Sequence, residues 1–334
     1  MKTVEEASAE ILAAFRPVGT ERVSLLEALG RFTACEVRAQ HALPGFDQSA
    51  MDGYAVRANE LRGASPSEPC RRPVRGESRA GGAVPPALEA GSAMRIFTGA
   101  MLPDGADAVV LQEDTTREGH DVLFRVAPRS QANVRIRGSD VKPGDLCLGA
   151  GALIGSGEIA LSAAQELASL TVFRRPRVAI LCTGDELRDI GEPARPGSLV
   201  SSNAYALAAQ VREAGGSPWV FPTVADQREV AGAAIKQALQ ADVVVISGGV
   251  SVGDYDVVRD ALVDAGIELS FWKIQMKPGK PVSFAKHGRI PVLGLPGNPV
   301  SSWVTFELFV RPGLRCMLGD PAPQRRRATV HLKN

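Results

Sequence analysis

The sequence predicts a multidomain α/β protein whose C-terminal half is built on a parallel sheet. Two observations lead there. Four short apolar, β-branched runs, 178–182, 219–224, 242–246 and 290–295, each end in a polar loop rich in glycine or acid. Helical stripes lie between or after them, and strand–helix alternation of this kind implies right-handed βαβ units.

From the N-terminus, Val4, Ala7, Ile11, Leu12 and Phe15 share one face of a predicted helix. This segment carries acids and has no signal-peptide apolar region. Residues 62–93 are rich in Pro, Gly, Ser and Arg and read as turns and loops, with weak strands nearby at 108–112 and 122–126. Residues 156–170 read as one amphipathic helix with Ser156 as its cap. A polar hinge, F-R-R-P-R at 173–177, precedes the α/β region.

Within that region, strand 178–182 runs into T-G-D-E-L at 183–187. Ala204, Leu207, Ala208 and Val211 follow at helical spacing. Strand 219–224 ends in A-D-Q at 225–227, and Val230, Ala234, Ile235 and Ala238 form the next stripe. Strand 242–246 opens into S-G-G-V-S-V-G-D-Y-D at 247–256. Val257, Val258, Ala261, Leu262 and Ala265 mark the helix after it. Residues 268–281 read as a strand bearing Lys273, then a K-P-G-K-P loop with Lys277 and Lys280. The last run ends in P-G-N-P-V-S-S at 296–302, where Asn298 is the expected N-cap and Pro299 the first helical residue.

Ligands of open parallel sheets sit beyond the carboxyl ends of the strands. All four polar loops fall at that edge, so Asp185, Glu186, Asp226, Asp254 and Asp256 are expected to converge on one crevice. Gly248 and Gly249 allow a sharp turn and close approach of a ligand. The plainer reading of this loop alone is a glycine turn followed by an Asp N-cap. Two carboxylates ~4 Å apart at an effective dielectric of ~20 repel by roughly 4 kcal/mol. A cluster of them therefore asks for a cation, and an all-oxygen set suits Mg²⁺. His41, His120, His287 and His331 are scattered and make no zinc spacing. Lys277 and Lys280, in a loop stiffened by Pro278 and Pro281, suit an oxyanion. Lys273 is equally compatible with a solvated edge charge.

At these residues the chain resembles the molybdopterin molybdenumtransferases, the MoeA and gephyrin E-domain family. S-G-G-V-S-V-G-D-Y-D, F-W-K-I-Q-M-K-P-G-K-P, G-L-P-G-N-P-V-S and T-G-D-E-L carry the resemblance. Upstream, so do P-G-F-D-Q-S-A-M-D-G-Y-A-V at 44–56, R-I-F-T-G-A-M-L-P-D-G-A-D-A-V-V at 95–110 and N-V-R-I-R-G-S-D-V-K-P-G at 133–144. The resemblance implies a cytoplasmic transferase that uses molybdate and adenylylated molybdopterin to make molybdenum cofactor, releasing AMP. By position it assigns catalytic roles to Asp52, Thr98, Asp140, Glu186, Asp226 and Asp256. Substrate binding falls to Arg135, Ser247, Gly248, Gly249, Lys273, Lys277, Lys280, Pro296 and Asn298. Mg²⁺ would be held by Glu186, Asp226 and Asp256, with Asp254 in support.

The implied architecture is a MogA-like parallel α/β sandwich at 176–320, a discontinuous N-terminal linker and dimerisation domain at 1–45 and 139–175, and an inserted β-rich domain at 46–138. A homodimer is implied, with the upstream molybdopterin adenylyltransferase as a further partner. Residues 328–332 alternate like the first strand of a C-terminal β-barrel domain that the sequence does not continue into, and residues from about Gln324 are expected to lack a partner. Two other readings stand beside this one: an adenylyltransferase-like enzyme, and a non-catalytic pterin-binding scaffold.

Composition is compatible with all of these. A net charge of +1 gives no reason to expect nucleic acid, and no apolar run reaches membrane-spanning length. Five isolated cysteines without a C-x-x-C predict reduced, mostly buried thiols.

Overall fold

The computed structural model describes residues 1–249, 257–326 and 328. The chain divides into two compact units. One comprises residues 1–36, 148–163 and 167–334, the other residues 37–147 and 164–166.

The smaller unit is built on a six-stranded mixed sheet. Its strands are β1 (Gly53–Val56), β2 (Cys70–Ser78), β3 (Ala93–Ile96), β4 (Ala108–Leu111), β5 (Thr115–Glu118) and β6 (Asp121–Phe124), in the order β4-β1-β3-β2-β6-β5. The nine-residue β2 crosses the stretch expected to be turns and loops. Its sequence, C-R-R-P-V-R-G-E-S, has no period-2 apolar pattern, and pairing with β3 and β6 makes it a strand; Arg71 adds ion pairs with Glu118 and with Asp121, the latter at 3.2 Å.

The larger unit carries a second six-stranded sheet. Its strands are β7 (Arg177–Cys182), β8 (Ser217–Val220), β9 (Val243–Ser247), β10 (Glu268–Phe271), β11 (Ser283–His287) and β12 (Ile290–Leu295). The order is β8-β7-β9-β12-β11-β10. The first four are parallel, as the sequence pattern predicts, and β11 and β10 add antiparallel at one edge. β8 stops four residues short of its expected end because Pro222 has no N–H for the ladder. Pairing resumes where Val224 donates to the Cys182 carbonyl at 2.9 Å. β10 likewise ends at Phe271, so Lys273 lies beyond the strand rather than on it.

Both faces of this sheet are covered, which is why its strands read as continuous apolar runs. Val178, Ile180 and Cys182 face one layer, packed with α1 (Val4–Ala14), α3 (Ser202–Glu213), the Phe306–Val310 segment that continues α6 (Pro299–Thr305), and α7 (Arg311–Met317). Ala179 and Leu181 face the other, packed with α4 (Arg228–Ala238) and α5 (Val257–Asp264). α1 opens on a reciprocal capping box between Thr3 and Glu6. In α4 the buried stripe is Ala231, Ile235 and Ala238, and Val230 is exposed. The helix expected over 156–170 is α2 (Ser156–Ala164); Ser169–Phe173 is instead a strand paired antiparallel with Thr20–Ser24. Ser156 lies inside α2, and the free N–H of Gly155 is taken by the Glu158 carboxylate at 2.9 Å.

The tail is tied down further than expected. Arg325 pairs with Glu307 at 2.9 Å, and Arg311 donates to the Pro323 carbonyl at 3.2 Å. The alternating run at 328–332 lies outside the described residues apart from Ala328. The five cysteines are unbonded, but only Cys182 is buried and Cys35 is exposed, so burial of most thiols is not observed. Among the described residues no helix is long and apolar enough to cross a membrane.

Candidate active site

A cleft of about 610 Å³ lies at the carboxyl edge of the larger unit's sheet. Loops after four parallel strands build it. β7 contributes Thr183, Gly184 and Glu186, and the loop after β8 contributes Asp226. Ser247, Gly248 and Gly249 come from the end of β9, and Pro296 to Asn298 from the end of β12. Seven of the residues singled out in the sequence therefore share one cleft: Glu186, Asp226, Ser247, Gly248, Gly249, Pro296 and Asn298.

The β9 turn depends on its glycines. Gly248 and Gly249 have φ of 91° and 61°. A Cβ on Gly248 would sit 2.3 Å from the Thr183 carbonyl oxygen, and one on Gly249 would sit 2.3 Å from Val258 Cγ2. Gly248 N–H donates to the Leu295 carbonyl at 3.2 Å, and Thr183 N–H to the Ser247 carbonyl at 3.0 Å, so three strand ends are laced together. Asn298 caps α6 through Ser301 N–H at 3.2 Å, with Pro299 as its first residue, as the sequence predicts.

Acid accumulates on one side of the cleft. The Asp226 N–H donates to Asp185 Oδ1 at 3.0 Å, which fixes that loop against the T-G-D-E-L turn. Burial, then the nearby charges of Asp185 and Glu186, hold the Asp226 carboxyl above its ordinary range. Asp254 and Asp256, expected to join them, lie outside the described residues. Among the described residues no group of three His, Cys, Asp or Glu is close enough to hold a metal.

The lysines lie elsewhere. Lys277 and Lys280 are exposed and do not line the cleft, although the adjoining Pro281 does. Lys273 lines a separate depression with Lys2, Phe271 and Trp272.

In the smaller unit, Asp52 Oδ1 accepts from both the N–H and the hydroxyl of Thr98, each at 2.8 Å. Those two bonds, followed by the Arg95 charge, hold the Asp52 carboxyl below its usual range, so it stays ionised as an acceptor. Arg135 and Asp140 form an ion pair, half exposed on both sides.

Three polar residues of the cleft are not among the site residues named from the sequence, although Thr183 opens the T-G-D-E-L motif. Thr183 and Ser201 are 4% and 2% exposed. Asn203 Nδ2 donates to Ser247 Oγ and to the Gly297 carbonyl, both at 2.9 Å. The available signal was S-S-N at 201–203, where the α3 stripe begins. The strand before it, Leu199–Val200, is only two residues long and leaves no apolar run to mark a strand end. Cys182 also lines the cleft, but burial pushes its thiol up to about 11, which excludes a thiolate role at neutral pH.

Because the folded Asp226 pKa is raised, its stabilising contribution is full only below the unfolded value of 3.8 and is lost as pH rises through the folded one. Asp226→Asn is therefore expected to melt slightly higher than the parent at pH 7, with the difference closing below about pH 4. Melting curves at both pH values test this, and a variant less stable at pH 7 would contradict it.

Residues 2–165 match the MoeA N-terminal region, domains I and II, and residues 179–316 match a probable molybdopterin binding domain. Over 304 residues, 90% of this chain and 70% of the relative, the sequence is 41% identical to a molybdopterin molybdenumtransferase of Nostoc sp.. The chain belongs to the molybdopterin molybdenumtransferase family. Molybdopterin molybdenumtransferase 2 of Mycobacterium tuberculosis is 40% identical, over 97% of this chain and 82% of its own. The crystal structure of a molybdopterin biosynthesis MoeA protein from Pyrococcus horikosii superposes with a TM-score of 0.84 at 34% identity. That superposition covers 95% of this chain and 80% of that one.

Proposed function

We infer that this chain is a transferase of molybdenum cofactor biosynthesis that inserts molybdate into molybdopterin. In the finer form of this reading the substrate is adenylylated molybdopterin, AMP leaves, Mg²⁺ is required and the reaction is cytoplasmic. The observation that carries it is the cleft at the sheet edge, where Glu186 and Asp226 stand beside the glycine turn of β9. The match of residues 2–165 to the MoeA N-terminal region leaves the smaller adenylyltransferase and the pure scaffold without a specific observation in their favour.

The donor set fits Mg²⁺. Burial, and then its acidic neighbours, disfavour Asp226 as an anion, and Mg²⁺ is usually held by one or two carboxylates plus substrate phosphates. Glu186 and Asp226 would hold it, with Asp256. Bound there, Mg²⁺ would neutralise charge on the pyrophosphate bridge whose cleavage releases AMP. The chain's own residues do the rest. The β9 turn would bring backbone close to the ligand, Asn298 would fix the helix start beside it, and Lys277 and Lys280, outside the cleft in the loop that ends at its lining residue Pro281, would supply oxyanion contacts. A homodimer is part of this reading: Asp52, Thr98, Arg135 and Asp140 would complete the site of a second copy. The upstream adenylyltransferase is the partner expected to deliver the substrate.

AMP release from adenylylated molybdopterin, with and without molybdate and Mg²⁺, tests the reading. No AMP in the complete mixture would refute it. In the same assay Lys277→Ala is expected to raise the substrate concentration needed by about five- to tenfold, an effect that shrinks at high salt. Lys286→Ala, an exposed position on β11, is the control. Equal losses in the two variants would indicate a diffuse field instead of a site.

A further inference from the structure

The cleft contains an unusual combination of groups. Among its described lining residues none is a lysine or arginine. A bare phosphate on the floor would therefore meet Glu186 and Asp226 with nothing to balance them. Neutral hydrogen-bonding groups fill the space instead.

Thr183 Oγ1 is buried and has no hydrogen-bond partner among the described residues. Ser201 Oγ has only the Cys182 sulfur beside it, a weak partner to which its hydroxyl can donate. A buried hydroxyl left without a partner loses its hydration uncompensated, so such groups usually mark the place of a ligand or water. Asn203 adds direction. The Gly297 carbonyl can only accept, so the amide nitrogen must face it, and the second amide hydrogen goes to Ser247 Oγ. Both Asn203 donors are then used, leaving Oδ1 as an acceptor on a residue that lines the cleft.

We propose that Thr183, Ser201 and Asn203 form a recognition floor for the neutral aminopyrimidine edge of a heterocycle, in which an exocyclic amino group donates to Asn203 Oδ1 and the hydroxyls of Thr183 and Ser201 meet the ring nitrogens. This deepens the transferase reading, on which it rests. The substrate of that reading carries two such edges, on its pterin and on its adenine. Phosphates are left to the acidic rim with its cation and to the lysines outside the cleft.

Titration of the whole chain with a phosphate-free pterin, with adenosine and with inorganic pyrophosphate tests this. One of the two heterocycles should bind, and which one identifies the half of the substrate held. Thr183→Val should weaken that binding about five- to tenfold, and Thr183→Ser, which keeps the hydroxyl, should restore it. Thr183→Val should leave the melting temperature unchanged or raise it, because the hydroxyl it removes has no partner in the unliganded protein. The floor is refuted if neither heterocycle binds up to about 10 mM, a very weak affinity. It is also refuted if Thr183→Val binds as the parent does, or if pyrophosphate is the probe that this variant loses. AMP release by the unaltered chain is a separate measurement, so failure of the transferase reading and failure of the floor are told apart.

Discussion

Gly248→Ala is expected to abolish turnover and to lower stability by about 2–4 kcal/mol, a drop in melting temperature of roughly 5–10 °C. Two effects add. At φ 91° an L-residue is strained, and the new Cβ would lie 2.3 Å from the Thr183 carbonyl oxygen, a backbone atom that cannot rotate away. Relief must come from moving the β9 turn or the T-G-D-E-L turn. Either shift breaks the bond from Gly248 N–H to Leu295 and displaces Glu186 and Ser247 from the same cleft. Calorimetry and AMP release on one preparation check both parts. Normal turnover with an unchanged melting temperature would show that the loop has room the structure does not have.

Mixing two inactive variants, Asp52→Ala and Asp226→Ala, is expected to restore about a quarter of full activity if two copies share each site, since half of randomly formed dimers would carry one intact site. Asp52 is a suitable partner for the test because it is only half-buried and bound chiefly to Thr98, so truncation removes an acceptor without opening a core. Asp226 is suitable for the same reason, being a surface-edge carboxylate whose loss relieves repulsion. No recovery at concentrations that permit exchange, together with a monomer by sedimentation, would rule out the shared site.

How much of this was legible beforehand depends on where the determining forces act. Runs such as 178–182 and 290–295 were readable because a strand buried on both faces needs an unbroken apolar sequence. Asn298 with Pro299 was readable because a helix start is decided by a few adjacent residues. β2 was not, since its residues show no period-2 apolar pattern and it is a strand through its pairing with β3 and β6. The 156–170 helix was overextended because the pairing of Ser169–Phe173 with Thr20–Ser24 overrides local helical preference.

By itself the sequence determined the parallel strand runs of the larger unit, the edge at which its polar loops emerge, and the family, because periodicity and ordered motifs are local properties of the chain. Only the tertiary structure decided that Asn203 clamps Ser247 to Gly297, that Thr183 is buried without a partner, and that Lys273, Lys277 and Lys280 stay out of the cleft. Those facts depend on the distance between loops far apart in sequence, which is set by how the sheet packs and not by any residue's neighbours.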